Sequence, residues 1–131
     1  MEQAVKNVID RCAEQSDAGA ISFGAVVGEL GQAGVESYYA DYRAQQTVYY
    51  MPDASFHAVP LKGPSTEIAD AFDAEAVQAA VRGAQGGKVK YLEFQALTRA
   101  AGCVGYFVWI AGRHVVYQGR RGETLVEPFP S

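Results

Sequence analysis

The sequence has few of the residues that fix a fold or a chemistry through covalent links or metal binding. Among 131 residues it has two cysteines and two histidines. Cys12 and Cys103 form neither a Cys-x-x-Cys pair nor part of a spaced Cys/His set, which excludes a disulfide scaffold and the usual zinc motifs. We expect both thiols to be reduced and buried, and we predict neither a metal site nor a cofactor.

Long apolar runs are also missing. The longest continuous run, residues 103–110, is far shorter than the ~20 residues of a membrane-spanning helix. Residues 1–6 lack the basic and apolar regions of a signal peptide, so we expect a cytoplasmic protein with no membrane partner. The length and the 49% hydrophobic and 20% charged composition predict one globular domain over residues 1–131.

The charges are unevenly distributed along the chain. The formal net charge of −4 argues against whole-molecule binding to nucleic acid. Residues 82–121 nevertheless carry seven Lys/Arg and one acid, whereas residues 1–81 carry four Lys/Arg and twelve acids. These basic side chains are either solvated surface charges or a face that docks an acidic partner. A nucleic-acid adaptor using Arg113, Arg120 and Arg121 is a less favoured alternative.

Hydrophobic periodicity predicts an α+β fold in the order helix, helix, meander, helix, helix, hairpin. About four helices pack against an antiparallel sheet of about five strands. The predicted helices cover residues 2–14, 22–34, 73–86 and 90–101, the predicted strands 35–42, 47–51, 55–59, 103–110 and 113–118, and a further edge strand 124–127.

Local signals define parts of these helices. Ser22 and Asp73 are predicted N-caps. The second helix contains Gly24, Gly28 and Gly31, each of which lowers helix stability by roughly 1 kcal/mol relative to alanine. We therefore expect another backbone to approach this glycine edge closely, or the segment to be partly irregular. In the fourth helix the predicted buried residues are Tyr91, Phe94, Leu97 and Ala101.

The two halves of the chain resemble each other at an offset of 68 residues. Ala33-Gly34 then falls on Ala101-Gly102, with Tyr38, Val48 and Tyr49 falling on Tyr106, Val116 and Tyr117. In both halves a helix ends in Ala-Gly and an aromatic hairpin follows. This pattern suggests an internal duplication of a helix-hairpin unit.

The same order of motifs resembles a known family. The motifs are the Ala-Gly helix stop, the tyrosine-rich meander, Tyr91-x-Glu93-Phe94, Ala101-Gly102-Cys103 and the aromatic central strand. Over about residues 20–127 they resemble the YbcV-like family, a domain of unknown function (1398) sometimes labelled phage envelope protein. The resemblance implies a bacterial α+β protein and brings no catalytic residues, cofactor or substrate.

Tyrosine is the most distinctive residue type in the sequence. Five of the eight tyrosines lie between residues 38 and 50. Tyr38-Tyr39 and Tyr49-Tyr50 are adjacent pairs, so strand alternation directs one member of each pair to each face of the sheet. Cross-strand aromatic packing explains rings on the covered face. Rings on the other face would suit a protein interface or a flat ligand.

From these observations we predict a binding or assembly module without catalytic residues, which forms a homo-oligomer or binds a protein partner. Acidic residues near the meander favour a protein or an uncharged ligand over nucleic acid. The candidate interaction surface consists of Tyr38, Tyr39, Tyr42, Tyr49, Tyr50, His57, Arg113 and His114.

The histidines offer an alternative function. His57 is out of phase with Phe56 and Ala58, so we expect it on the solvent face of the sheet, where it could meet His114. With a neighbouring acid the two could form a small-ligand or enzyme site, although two histidines in a chain of this size need no special role. Cys103 and His114 should lie at opposite ends of their hairpin, which argues against a catalytic pair.

Overall fold

The computed structural model describes residues 1–130. It has four helices and a six-stranded antiparallel sheet, which confirms the predicted α+β class and the order of elements and adds the edge strand at residues 124–128 as a full member. The elements are α1 Gln3–Asp17, α2 Phe23–Gln32, β1 Ser37–Asp41, β2 Gln46–Tyr50, β3 Phe56–Pro60, α3 Ala74–Gln85, α4 Tyr91–Ala100, β4 Cys103–Trp109, β5 His114–Gly119 and β6 Thr124–Pro128.

The sheet has the strand order β3-β2-β1-β4-β5-β6, and every neighbouring pair is antiparallel. Side chains alternate between two faces. The covered face carries Tyr38, Tyr49, Tyr106 and Tyr117, which share one core with the buried sides of all four helices. Most side chains on the opposite, uncovered face are half-buried or exposed, including Trp109.

The internal duplication extends through the whole secondary structure. At the offset of 68, α2 coincides with α4 and β3 with β6, residue for residue. Each half thus consists of two helices followed by a three-stranded meander. Among residues 1–130, the eight with positive φ also form four equivalent pairs: Gly19 and Gly87, Gly34 and Gly102, Gln45 and Arg113, Ala54 and Gly122.

The two repeats meet at the centre of the sheet. β1 pairs with β4, and in this register Tyr39 lies directly opposite Phe107, its equivalent in the second repeat. Because the pairing is antiparallel, the repeats are related by a pseudo-two-fold axis that passes between these two residues. Any site on this axis is built from both halves of the chain.

The predicted helix caps are confirmed. The side chain of Ser22 accepts a hydrogen bond from the Ala25 amide, and that of Asp73 accepts one from the Ala76 amide. Both satisfy an N–H group that the first helical turn leaves unpaired. Gly34 and Gly102 follow their helices with φ of 94° and 85°, a conformation that favours glycine.

Two expectations about the helices are wrong. Apart from the adjoining residues and the backbone of α2 itself, no atom lies within 4 Å of a Cβ placed on Gly24 or Gly28. No other backbone therefore approaches that edge of α2, which is nonetheless a regular helix. In α4, Leu97 is 42% exposed and Arg99 only 7%. The buried side of α4 is partly polar because Arg99 donates to the carbonyl oxygens of Thr66 and Tyr42, at 2.7 and 3.1 Å, and so holds the loop that precedes α3.

Within residues 1–130, none of the helices combines the length and apolar composition needed to cross a bilayer.

Candidate functional site

A cavity of about 330 Å³ lies between the covered face of the sheet and the helices. This volume is at the small end of the range for small-molecule sites, roughly 300–1,000 Å³. The sheet forms the floor and all four helices contribute to the roof. The rim consists of exposed residues in the α1–α2 turn, the α3–α4 turn and the segment 128–130.

Tyrosine rings form the central part of the cavity floor. Tyr38, Tyr49, Tyr106 and Tyr117 rise from the four central strands, and Tyr91 points in from α4. The ring centroids are 5.0 Å apart for Tyr38 and Tyr49, and 5.5 Å apart for Tyr106 and Tyr117. These two pairs are equivalent in the two repeats, so the cavity lies on the pseudo-two-fold axis.

The tyrosine hydroxyls fall into two groups. Tyr91 and Tyr106 bond each other with an oxygen separation of 2.6 Å. Tyr38, Tyr49 and Tyr117 are only 5–6% exposed, yet within residues 1–130 their hydroxyls form no hydrogen bond to the protein. They are not sealed in, because Gln95 Nε2 is the one fully enclosed side-chain polar atom without a partner in that part of the chain. We call these three groups the unpaired hydroxyls.

All five cavity tyrosines keep their phenolic protons at neutral pH. Burial is the main cause that raises the pKa of Tyr38, Tyr49, Tyr106 and Tyr117 above the ordinary tyrosine value, and neighbouring tyrosines add to it. Burial likewise raises the pKa of Tyr91 to about 12, against the lowering effect of its bond to Tyr106. Each hydroxyl therefore keeps its proton and can donate it to an acceptor.

The charged residues around the cavity either bond other protein groups or lie at its edge. The carboxylate of Glu127 accepts from Gln78 at 3.0 Å and from Arg82 at 3.4 Å. Asp17 is half-buried at the end of α1, where burial raises the pKa of its carboxyl and Lys62 opposes the rise. Lys90 is exposed at the rim.

The Cys12 thiol also lines the cavity, but it is not activated. Burial is the main cause that raises the pKa of this thiol above its ordinary value. A raised pKa disfavours the thiolate, which is the nucleophilic form. Cys12 therefore contributes apolar surface rather than reactivity.

The predicted interaction residues divide between the two faces. Tyr38 and Tyr49 lie on the cavity floor, whereas Tyr39 and Tyr50 lie on the uncovered face, as alternation predicts. The uncovered face also presents Phe56, Phe107 and Trp109. The Phe107 and Trp109 rings stack at a centroid distance of 4.1 Å, and Tyr50 and Tyr39 lie 6.3 and 5.4 Å from Phe107.

The two histidines do not meet. His57 pairs with Tyr49 on the covered face, and its Nε2 lies 2.8 Å from Asp10 Oδ1 of α1. The expectation that His57 faces solvent is wrong, because α1 extends over this edge strand. His114 pairs with Trp109 on the other face, and its Nδ1 lies 3.0 Å from the Gly112 oxygen. The sheet therefore separates the two imidazoles.

The remaining predicted residues have contacts within the fold. Tyr42 is fully buried, and its hydroxyl lies 2.7 Å from Thr98 Oγ1. Arg113 lies over the Phe129 ring at 5.5 Å. Arg120 donates to the Ile68 oxygen at 2.7 Å, and Arg121 donates to the Asp70 carbonyl oxygen at 3.3 Å.

Cys103 is fully buried, and its thiol donates to the Gly105 oxygen at 3.2 Å. Burial, the largest cause, raises the pKa of the Cys103 thiol to about 11. Residues 1–130 contain no group of three His, Cys, Asp or Glu side chains placed to hold a metal ion.

Sequence reasoning missed the cavity and three of its tyrosines, namely Tyr91, Tyr106 and Tyr117. The repeat contained the missing signal, since the offset of 68 already aligns Tyr38 with Tyr106 and Tyr49 with Tyr117. Equivalent residues of two repeats related by such an axis lie on the same face of the sheet, on opposite sides of the axis. To find the cavity in this way, one must also know which face of the sheet the helices cover. The sequence pattern does not show this.

No curated protein is significantly similar to the chain. Residues 11–127 match the model of a family described as Protein of unknown function (DUF1398), a match that includes most of both repeats and every cavity tyrosine. The description gives no function. Because the match covers most of the chain, the protein belongs to the DUF1398 family.

Proposed function

We propose that the protein binds a small, ring-containing organic molecule in the cavity between its two repeats. The observation that carries this proposal is the set of unpaired hydroxyls of Tyr38, Tyr49 and Tyr117, each on a nearly buried ring that lines the cavity. These hydroxyls are accessible from the cavity and have hydrogen-bonding capacity that no protein group uses. A hydrogen bond from each of them to a bound molecule would contribute roughly 0.5–1.5 kcal/mol.

The wall composition supports a ring-containing ligand. Aromatic side chains from the sheet surround the cavity with Phe94 of α4 and with Phe23 and Phe129 near the rim. Aromatic rings pack favourably against other rings in offset or edge-on arrangements. Apolar cavities of comparable or smaller size bind simple aromatic molecules.

The test adds naphthalene or naphthol to the intact protein and detects binding by amide chemical-shift mapping. We expect shift changes at cavity-lining residues and an increase in the thermal unfolding temperature, because a ligand of the folded state stabilises it by mass action. Ala13→Leu and Ala84→Leu, which fill the cavity from α1 and α3, should abolish the effect. Ala4→Leu adds the same side chain to an exposed position of α1 and should not.

Failure of both probes to perturb the cavity residues, or binding that is equally strong in the two filled variants, would refute the proposed function.

We propose self-association through the uncovered face as a second function. Its support is the aromatic set on that face, where Phe56 is 63% exposed and Trp109 38% exposed. Two of the three cross-strand rows on this face contain no acidic, lysine or arginine side chain. These two uncharged rows can pack against a second copy of themselves without like-charge repulsion.

Sedimentation over a range of concentrations tests self-association. We expect a dimer that Phe56→Lys and Trp109→Lys dissociate, since each places a charge in the interface. Leu92→Lys, at a 38% exposed position of α4 away from the sheet, is the matched control. A monomer at all concentrations, or a dimer insensitive to both sheet variants, would exclude this second function.

A further inference from the structure

Equivalent tyrosine hydroxyls have different hydrogen-bond partners in the two repeats. In the second repeat Tyr91 bonds Tyr106. The residue equivalent to Tyr91 in the first repeat is Phe23, and the residue equivalent to Tyr106 is Tyr38. Phe23 has no hydroxyl, so Tyr38 lacks the partner that Tyr106 has. The difference is one oxygen atom, and it leaves a hydrogen-bonding group directed at the cavity.

The unpaired hydroxyls lie on both sides of the pseudo-two-fold axis. Tyr38 and Tyr49 belong to the first repeat, and their rings are 5.0 Å apart. Tyr117 belongs to the second repeat. Tyr49 in β2 and Tyr117 in β5 are three strand spacings apart, roughly 14 Å across the sheet, and their cross-strand rows are two residues apart along it. Donors are therefore available at two separate ends of the floor.

The cavity interior favours an uncharged ligand. Glu127 is already bonded to Gln78 and Arg82, and Lys90 is exposed at the rim. Asp17 lies at the end of α1, where the charge of Lys62 acts on its carboxyl. An anion bound on the floor would find hydroxyls but no buried cation, and an unpaired buried charge is strongly unfavourable. Neutral carbonyl, ether or hydroxyl oxygens satisfy tyrosine donors without that desolvation.

These observations define the ligand class, on the basis of the function proposed above. We infer that the cavity takes an uncharged, flat ring system with oxygen hydrogen-bond acceptors at two ends. Tyr38 and Tyr49 bind one end, and Tyr117 binds the other. The aromatic side chains pack against the ligand rings, and the unpaired hydroxyls donate hydrogen bonds to the ligand oxygens.

A series of probes with one ring shape tests this inference. We would measure affinities by calorimetry for naphthalene, naphthol, a naphthalenediol with hydroxyls at opposite ends, naphthoate and an aminomethylnaphthalene. We expect affinity to rise by about threefold to tenfold with each hydroxyl. The anion and the cation should bind more weakly than naphthol.

Single Tyr→Phe variants test which tyrosine binds each end of the ligand. Tyr117→Phe should abolish the gain of the diol over naphthol while leaving naphthalene affinity unchanged. Tyr38→Phe and Tyr49→Phe should reduce the affinity for naphthol itself. Tyr50→Phe removes a hydroxyl from the uncovered face, outside the cavity, and is the control.

The outcomes separate this inference from the proposed function. Equal affinities for naphthalene, naphthol and the diol, with no effect of the Tyr→Phe variants, would overturn the ligand class while cavity binding stands. Tighter binding of naphthoate or of the amine than of naphthol would also overturn it. Absence of binding by every probe would overturn both proposals.

Discussion

The hydroxyl oxygens of Tyr91 and Tyr106 lie 2.6 Å apart in the wall of the cavity. This bond joins α4 to β4 within the second repeat. The first repeat has Phe23 at the equivalent position, and Phe23 instead packs edge-on against Phe129, with ring centroids 5.5 Å apart. Near the cavity the two halves thus differ: the second has a polar contact at this position and the first an apolar one.

Loss of a tyrosine hydroxyl should change stability according to whether that hydroxyl is bonded. For Tyr42→Phe we expect the free energy of unfolding to fall by about 1–2 kcal/mol, because the buried bond to Thr98 is lost. For Tyr117→Phe we expect no loss, or a small gain, because its hydroxyl has no protein partner within residues 1–130. Urea denaturation of both variants measures the difference. Equal destabilisation by the two changes would contradict the assignment of Tyr117 as unpaired.

Two helix-interior glycines should respond oppositely to alanine. Gly28→Ala should raise the free energy of unfolding by ~0.5–1 kcal/mol, because alanine favours the helix and its Cβ meets no atom within 4 Å. Gly83→Ala places a Cβ 2.6 Å from Val89 Cγ2, so we expect overpacking to lower stability by ~1–3 kcal/mol. Thermal and urea unfolding provide the measurement. A stabilising Gly83→Ala would mean that Val89 can move aside freely.

Replacement of the buried Arg99 should release the loop before α3. Arg99→Met removes hydrogen bonds to the Thr66 and Tyr42 oxygens, and we expect a loss of about 2–3 kcal/mol in unfolding free energy. Limited proteolysis should then cut within residues 61–72. Arg11→Met removes an exposed pair with Glu29 and should cost less than about 1 kcal/mol, without new cleavage. Unchanged protease resistance of Arg99→Met would argue against the anchoring role.

Stability should decrease at alkaline pH. Burial raises the folded-state pKa of the cavity tyrosines, that of Tyr91 to about 12, whereas in the unfolded chain a tyrosine ionises near 10. The contribution of these protonated tyrosines to the free energy of unfolding is complete below about pH 10. It is lost as the pH rises from there through the folded-state value of about 12 for Tyr91. For each tyrosine that is protonated in the folded protein and ionised in the unfolded chain, the free energy of unfolding falls by ~1.4 kcal/mol per pH unit in this window.

Urea unfolding at a series of pH values, together with tyrosinate absorbance, measures this dependence. Tyr91→Phe should reduce the slope of stability against pH, because one linked proton is removed. If tyrosinate appeared in the folded protein well before stability fell, the cavity tyrosines would be less buried than we describe.

Local patterns predicted most of the elements. Apolar spacing located α1 and α4, side-chain caps at Ser22 and Asp73 located the starts of α2 and α3, and prolines ended β3 and β6. These signals act over a few residues, so they can be read along the chain. The errors arose where distant segments decide burial: at Leu97 and Arg99, where a loop packs on α4, and at His57, where α1 covers the edge strand.

The sequence by itself determined the α+β elements, the repeat at an offset of 68 and the division of adjacent tyrosines between two faces. The last follows from strand alternation, which is a property of the backbone. Only the tertiary structure decided which face the helices cover. That choice depends on how four amphipathic helices and six strands pack together, and it places Tyr38 and Tyr49 in the cavity and Tyr39 and Tyr50 outside it.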